Sequence, residues 1–354
     1  MKYVPFLKMK QNEIIGFRHL SSGRRKHVIP LFDVPRKNDI DEDEFKSQIR
    51  RGLRYIILAH QRFYFPFYLD VFDIPDTIFP DGKHIYEYTL EQFKDFNVFP
   101  VVGLDRHEDH IFAAQNFINT NHDHKHFAIR LTDEDIVSYI LTKNNMDEML
   151  SEIIDDCDSC DLIIDLRLLF YDEIDDKFGK IDKLLHGLLK SYFFRNIIIS
   201  SSAIPPQISE LVDVASSESY QRNEWILWQK LIKSGKEYCQ NLIYGDYTVV
   251  TPEFTETEMD PRLISARQTP RIYYTLPDTF FVTRGRALRT SGYDQYYDLA
   301  KEVENLSYYR GRGYCQGDQY IHDVSNRVQN SCGSAGSWIA NTINCHLSVM
   351  IDSL

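Results

Sequence analysis

Residues 161–168, DLIIDLRL, set the grammar of the whole chain. A run of branched apolar residues without alternation reads as a strand buried on both faces, the habit of parallel sheets covered by helices. Side chains along such a strand still alternate, so Ile163, Asp165 and Arg167 share one face. A carboxylate and a guanidinium therefore meet at its downstream end. The same unit recurs along the sequence: an apolar run, a polar residue closing it, then a helical segment.

Strands of this type are expected at 3–9 (YVPFLKM), 28–34 (VIPLFDV), 67–71 (FYLDV), 98–104 (VFPVVGL), 127–131 (FAIRL), 162–166, 196–202 (NIIISSS) and 242–247 (LIYGDY). Helices are expected between them, over 11–20, 39–62, 86–96, 107–118, 181–193 and 218–233. The acidic run at 39–44 suits a positive helix N-terminus, and Thr132 before Asp133 and Glu134 reads as an N-cap. Alternating strands and helices argue for parallel βαβ units, and about eight of them is the count of a TIM-type (β/α)8 barrel. The alternative is a doubly wound open sheet, but no Gly-rich dinucleotide turn follows the first strand. The expected barrel spans 1–250. A C-terminal extension, 251–354, follows, with a β-hairpin over 271–275 and 280–284 and helices over 291–306, 316–324 and 337–350. That extension is expected to cover one mouth of the barrel, its last helix serving as the eighth outer helix.

Composition narrows the function. With 354 residues, among them 22 Tyr and 22 Phe, the chain has enough apolar surface for a large core. A net charge of −12 argues against non-specific binding to nucleic acid or an anionic membrane, while leaving room for a local basic site. No apolar stretch approaches the ~18–20 residues of a membrane span, and MKYVPFLKMKQNEI lacks the plan of a signal peptide. Six cysteines in a chain of this size do not form a disulfide framework. The expected location is the reducing cytoplasm.

In barrels, active sites lie at the C-terminal strand ends. Collecting those ends gives Lys8, Asp33, Asp70, Asp105, Arg130, Asp165, Arg167, Ser201 and Asp246. Carboxylates so placed suit a divalent metal or general acid–base work, and Arg or Lys suits a phosphate or carboxylate. The plainer reading is that such Asp and Arg residues only satisfy one another inside the barrel. The pair Cys157 and Cys160 lacks a second pair at zinc spacing. It also precedes a strand, as do His122, His124 and His126, and so falls at the opposite end from the ring. His107, just after the fourth strand, is better placed.

Several stretches resemble the beta protein family, named after the beta gene of a phage satellite. They are YVPFLKMKQNE, VIPLFDVP, GLDR, LIIDLR, RNEW at 222–225, YGDY, FFVTRGRALRTSGYDQYYDLA, YRGRGYCQGDQYI and WIANTINCHL. The resemblance implies a bacterial or mobile-element protein associated with phage defence. It singles out Arg222, Glu224, Asp246, Tyr247, Arg284, Gly285, Tyr293, Tyr296, Gly311, Gly317, Asp318, Trp338, Asn344 and His346. Cys345 stands here where the family pattern suggests a second histidine beside His346.

The combined expectation is a polar pocket that binds, and hydrolyses, a nucleotide or other phosphate-bearing ligand. Asp33, Asp70, Asp165, Asp246 and His346 are the catalytic candidates. Lys8, Asp105, Arg130, Arg167, Ser201, Tyr247, Arg284, Trp338 and Asn344 are the ligand-binding ones. A divalent metal is the cofactor such a carboxylate ring suggests. The competing expectation is a non-catalytic partner or sensor for a toxic effector protein encoded in the same defence cassette.

Overall fold

The computed structural model describes residues 1–37, 40–120, 125–153, 158–253 and 268–354. They fall into two compact units. The first comprises Met1–Lys10, Val28–Ser202 and Asn223–Tyr247; the second comprises Gln11–His27, Ala203–Arg222 and Thr248–Leu354.

The first unit is a closed parallel barrel. Its strands are β1 (Tyr3–Lys8), β2 (Leu31–Asp33), β3 (Phe67–Asp70), β4 (Val98–Val102), β5 (His126–Leu131), β6 (Ser159–Leu168), β7 (Ile197–Ser202) and β9 (Leu242–Asp246). They pair in that order, and β9 closes on β1. With helices between the strands, this is the TIM-type (β/α)8 barrel that the apolar runs predict.

Alternation sorts each strand into a lumen face and a helix face. Val4 and Phe6, Leu31, Tyr68, Phe99 and Val101, Ala128, Ile163 and Ile198 pack together in the lumen. The outer helices present apolar stripes to the other face. In Glu42–His60 the buried residues Phe45, Ile49, Ile56 and Ala59 recur at helical spacing. That helix is capped by Asp41, whose side chain accepts from Glu44 N at 2.8 Å, and its first turn carries three acids.

The second unit is built on a three-stranded antiparallel sheet in the order β10 (Arg271–Thr275), β11 (Thr279–Arg284), β8 (Ser216–Gln221). Strands β10 and β11 form the expected hairpin. The helix Ala335–Ser353 packs on the helix Gln11–Arg18. Gly16 makes that approach close: a Cβ there would lie 2.7 Å from Ala340 O. The core of this unit includes Ile272, Tyr274, Tyr296, Leu299, Val303, Ile321 and Trp338.

Three local expectations are corrected. The helix expected over 218–233 begins only at Asn223, because 216–221 is β8, paired with β11 at Tyr220↔Phe280. A polar hexapeptide, SSESYQ, becomes a strand through a partner some sixty residues away, which local pattern cannot reveal. The helix expected over 181–193 is Ile174–Leu188. The one expected over 291–306 is broken at Gly292, whose φ of 73° ends Leu288–Ser291 before Gln295–Glu304 begins.

Candidate functional site

Strand register assembles the barrel site. Lys8, Asp33 and Asp70 are Cα partners across β1, β2 and β3. Asp165 on β6 is level with Ser200 on β7. All close the lumen at its downstream end, where Arg130 reaches across from β5. The Arg130 guanidinium is fully buried and takes three carboxylates: Nη1 donates to Asp33 at 2.9 Å and Asp70 at 2.8 Å, and Nη2 donates to Asp165 at 2.6 Å. Tyr247 completes the group, donating its hydroxyl to Asp165 at 2.6 Å.

A second, less buried layer lies against this centre. Lys8 pairs with Asp33 at 3.4 Å and also contacts Asp73. Arg167 donates to Asp73 at 3.1 Å, and Arg106 donates to Asp70 at 3.2 Å. The guanidinium carbons of Arg106, Arg130 and Arg167 lie 4.6, 4.1 and 4.9 Å from the Phe72 ring centroid. Arg167 itself has a φ of 52°, a left-handed conformation costly for a side-chain-bearing residue. It sits where the β6–β7 register slips between Asp165 and Leu168, and its N–H donates to Asp165 at 3.0 Å.

Two carboxylates on one guanidinium nitrogen are pushed apart in proton affinity. Burial alone would raise Asp33, but Arg130 and then Lys8 overcome it and hold the carboxyl at about 2. Burial raises Asp70, and Arg106 and Arg130 do not fully offset it. Burial, followed by Asp165, pushes the Tyr247 hydroxyl well up. The Asp33 shift fixes a pH dependence. A folded-state value below the unfolded ~3.9 stabilises the protein above that pH, and the benefit is lost as pH falls through about 2. The stability difference between wild type and Asp33→Asn should therefore shrink by roughly 2 kcal/mol between pH ~5 and ~2, measured by urea unfolding.

Asp73, Arg106 and Phe72 are part of this site, although strand-end reasoning did not select them. Asp73 stands three residues beyond a strand end, a distance at which alternation no longer says where a side chain points. Asp105 was selected, but its side chain is 41% exposed and pairs only with neighbouring Arg106 among the described residues. Ser201 and Asp246 are level with one another on the helix face of the strands, not in the lumen. There Asp246 accepts from Tyr3 at 2.5 Å and Tyr244 at 2.8 Å, and Trp225 and Trp228 pack on Tyr244.

The remaining candidates belong to the second unit. Arg284 donates to Thr269 Oγ1 and Val212 O and borders a cavity of about 740 Å³ that Arg271, Gln268 and Tyr273 also line. Trp338 is 1% exposed, stacked on Tyr296, with its indole N–H on Cys332 O. Asn344 bridges Gly317 N and Gly16 O, and His346 is buried with Nδ1 2.9 Å from Thr275 Oγ1. Cys157, His122 and His124 lie outside the described residues. His126 is on β5 beside Ser159, at the upstream end, and His107 is exposed and pairs with Asp109.

The carboxylate ring does not fit a divalent ion. The Arg130 guanidinium already occupies the space between Asp33, Asp70 and Asp165, and a cation there would meet its charge. Among the described residues no helix is long and apolar enough to cross a membrane.

A family model described as Beta protein matches residues 3–352. No curated protein and no solved structure matches the chain.

Proposed function

The chain belongs to the beta protein family, and we propose that its barrel unit binds a nucleotide-like, phosphate-bearing anion at the downstream strand ends, in a phage-defence setting. One observation carries the reading. Lys8, Arg106 and Arg167 gather with Phe72 as the less buried layer over Arg130, and one carboxylate, Asp73, is shared between Lys8 and Arg167. A phosphate has the charge and the oxygen spacing to take the place of Asp73 between Lys8 and Arg167, and Arg offers it a bidentate fork. Two buried donors also await an acceptor: Arg106 Nε and Ser200 Oγ have no hydrogen-bond partner among the described residues. The Phe72 ring offers a stacking surface. Hydrolysis is supported by the divergence of Asp33 and Asp70, the pattern of a base beside an acid.

A second reading is favoured by the charge balance. Four cations, Lys8, Arg106, Arg130 and Arg167, face four carboxylates, Asp33, Asp70, Asp73 and Asp165, so the cluster can be self-sufficient. The protein would then be a non-catalytic partner whose net charge of −12 suits a basic effector.

Thermal shift with a panel of nucleotides separates the two. Binding raises the melting temperature once ligand exceeds its Kd. Arg167→Ala should weaken that binding about tenfold or more, from the loss of a charge-assisted contact. Asp73→Asn should tighten it by releasing Lys8 and Arg167. Loss in Arg284→Ala alone would move the ligand to the second-unit cavity. No shift by any nucleotide, with capture of a basic effector instead, would establish the second reading.

A further inference from the structure

Cys315, Asp318 and Cys345 converge in the second unit. Cys315 caps the helix Gln316–Ser325, Asp318 lies in its first turn, and Cys345 comes from the long helix Ala335–Ser353. We propose that these three residues form a zinc site, with solvent as the fourth ligand.

The geometry is already that of a ligand set. Cys315 Sγ and Cys345 Sγ are 3.7 Å apart, and Cys345 Sγ and Asp318 Oδ2 are also 3.7 Å apart. A tetrahedral zinc with Zn–S of about 2.3 Å and Zn–O of about 2.1 Å requires edges of about 3.8 Å for S···S and about 3.6 Å for S···O. The third edge, Cys315 Sγ to Asp318 Oδ2, is 2.9 Å, a hydrogen bond that must open by about 0.7 Å to reach the S···O edge. Asp318 and Cys345 are buried, whereas Cys315 is only half-buried, which gives the ion an entry side and the fourth ligand its place.

The surroundings orient the donors. Tyr274 donates its hydroxyl to Asp318 Oδ1 at 2.7 Å, fixing the carboxylate so that Oδ2 turns to the thiols. This is the supporting contact that ligating carboxylates use. Asn344 accepts from Gly317 N at 3.1 Å and pins the short helix to the long one. Gly317 itself has no room for a side chain: a Cβ would lie 2.4 Å from Cys345 Sγ and 2.1 Å from Asn341 O. Two thiolates and a carboxylate on Zn²⁺ leave one net negative charge. Arg310, whose field acts on Cys345, carries a buried Nη1 without a partner among the described residues, and it suits that charge.

Binding is balanced by proton release. Zn²⁺ replaces the two thiol protons, forming two Zn–S bonds and one Zn–O bond, and both protons pass to solvent.

The test uses the full chain, purified without chelator and equilibrated with zinc. Elemental analysis should find about one zinc per chain, and cobalt substitution should give the near-ultraviolet thiolate-to-cobalt band. Cys315→Ser, at the half-buried position, should lose the band while keeping the fold. Asp318→Asn should weaken zinc affinity. Should Cys345→Ser fail to fold, thiol counting on wild type replaces it: zinc should protect two thiols that chelation exposes. Absence of bound zinc after equilibration would overturn the proposal. So would a Cys315–Cys345 disulfide in non-reducing peptide maps of freshly purified protein, or a cobalt band unchanged in Cys315→Ser.

Discussion

Arg130→Ala should destabilise the barrel unit by about 3–5 kcal/mol, the cost of breaking a buried ion cluster by removing one partner. The cost lies in what is left behind. Asp33, Asp70 and Asp165 are at most 1% exposed, and each sends an oxygen to this one guanidinium. Without it, Asp165 keeps the Tyr247 hydroxyl, Asp33 keeps Lys8 and Asp70 keeps Arg106, but the centre of the group holds uncompensated negative charge. The missing contacts are not the main cost; the unpaired carboxylates are. Chemical denaturation followed by circular dichroism would show this as a lower midpoint. A second variant isolates the cause. Adding Asp70→Asn to Arg130→Ala should recover part of the loss, because it removes one of the stranded charges. If the double variant is less stable than Arg130→Ala alone, unpaired charge is not what Arg130 relieves. Arg130→Lys should recover little, since an ammonium cannot serve three carboxylates in one plane.

Trp338→Ala should cost about 3–5 kcal/mol in the second unit, the usual range for emptying a large aromatic site. Trp338 is the largest fully buried side chain among the described residues. Its ring stacks on Tyr296 at 5.2 Å and meets Tyr320 edge-on at 5.0 Å. Its N–H satisfies Cys332 O at 2.9 Å, so truncation leaves a buried carbonyl as well as a cavity. Burial gives Trp338 two structural tasks, filling the core and satisfying Cys332 O. Trp338→Phe separates the two: it should restore most of the packing and lose only the N–H. Because the protein has two compact units, the unfolding curve should be tested for two transitions, with Trp338→Ala moving one and Arg130→Ala the other.

The barrel could be read from sequence because each strand carries its own evidence. Residues 161–168 and 196–202 are apolar, bounded by polar residues and too short for helices. Their ends named Asp33, Asp70, Arg130, Asp165 and Arg167, and the structure brings those five together. Reading the ends could not tell lumen from helix face where strand limits are uncertain by one residue, since one step reverses every side chain. Ser201 and Asp246 illustrate that: both lie at strand ends, yet on the opposite face from Asp165. Asp73 and Phe72 lie in a loop, where no period applies. Cys315 and Cys345 meet across 30 residues of sequence, a separation at which spacing carries no information.

Residue pattern alone was thus enough for the order of the elements, the parallel sheet and the polar character of the strand ends, because each depends on local alternation and apolar burial. The pairing of Arg130 with three carboxylates, the sheet that recruits SSESYQ and the meeting of two cysteines with Asp318 were decided only in three dimensions. Each depends on which distant residues the closed barrel and the packed helices bring within a few ångströms, and such proximity leaves no periodic trace along a chain.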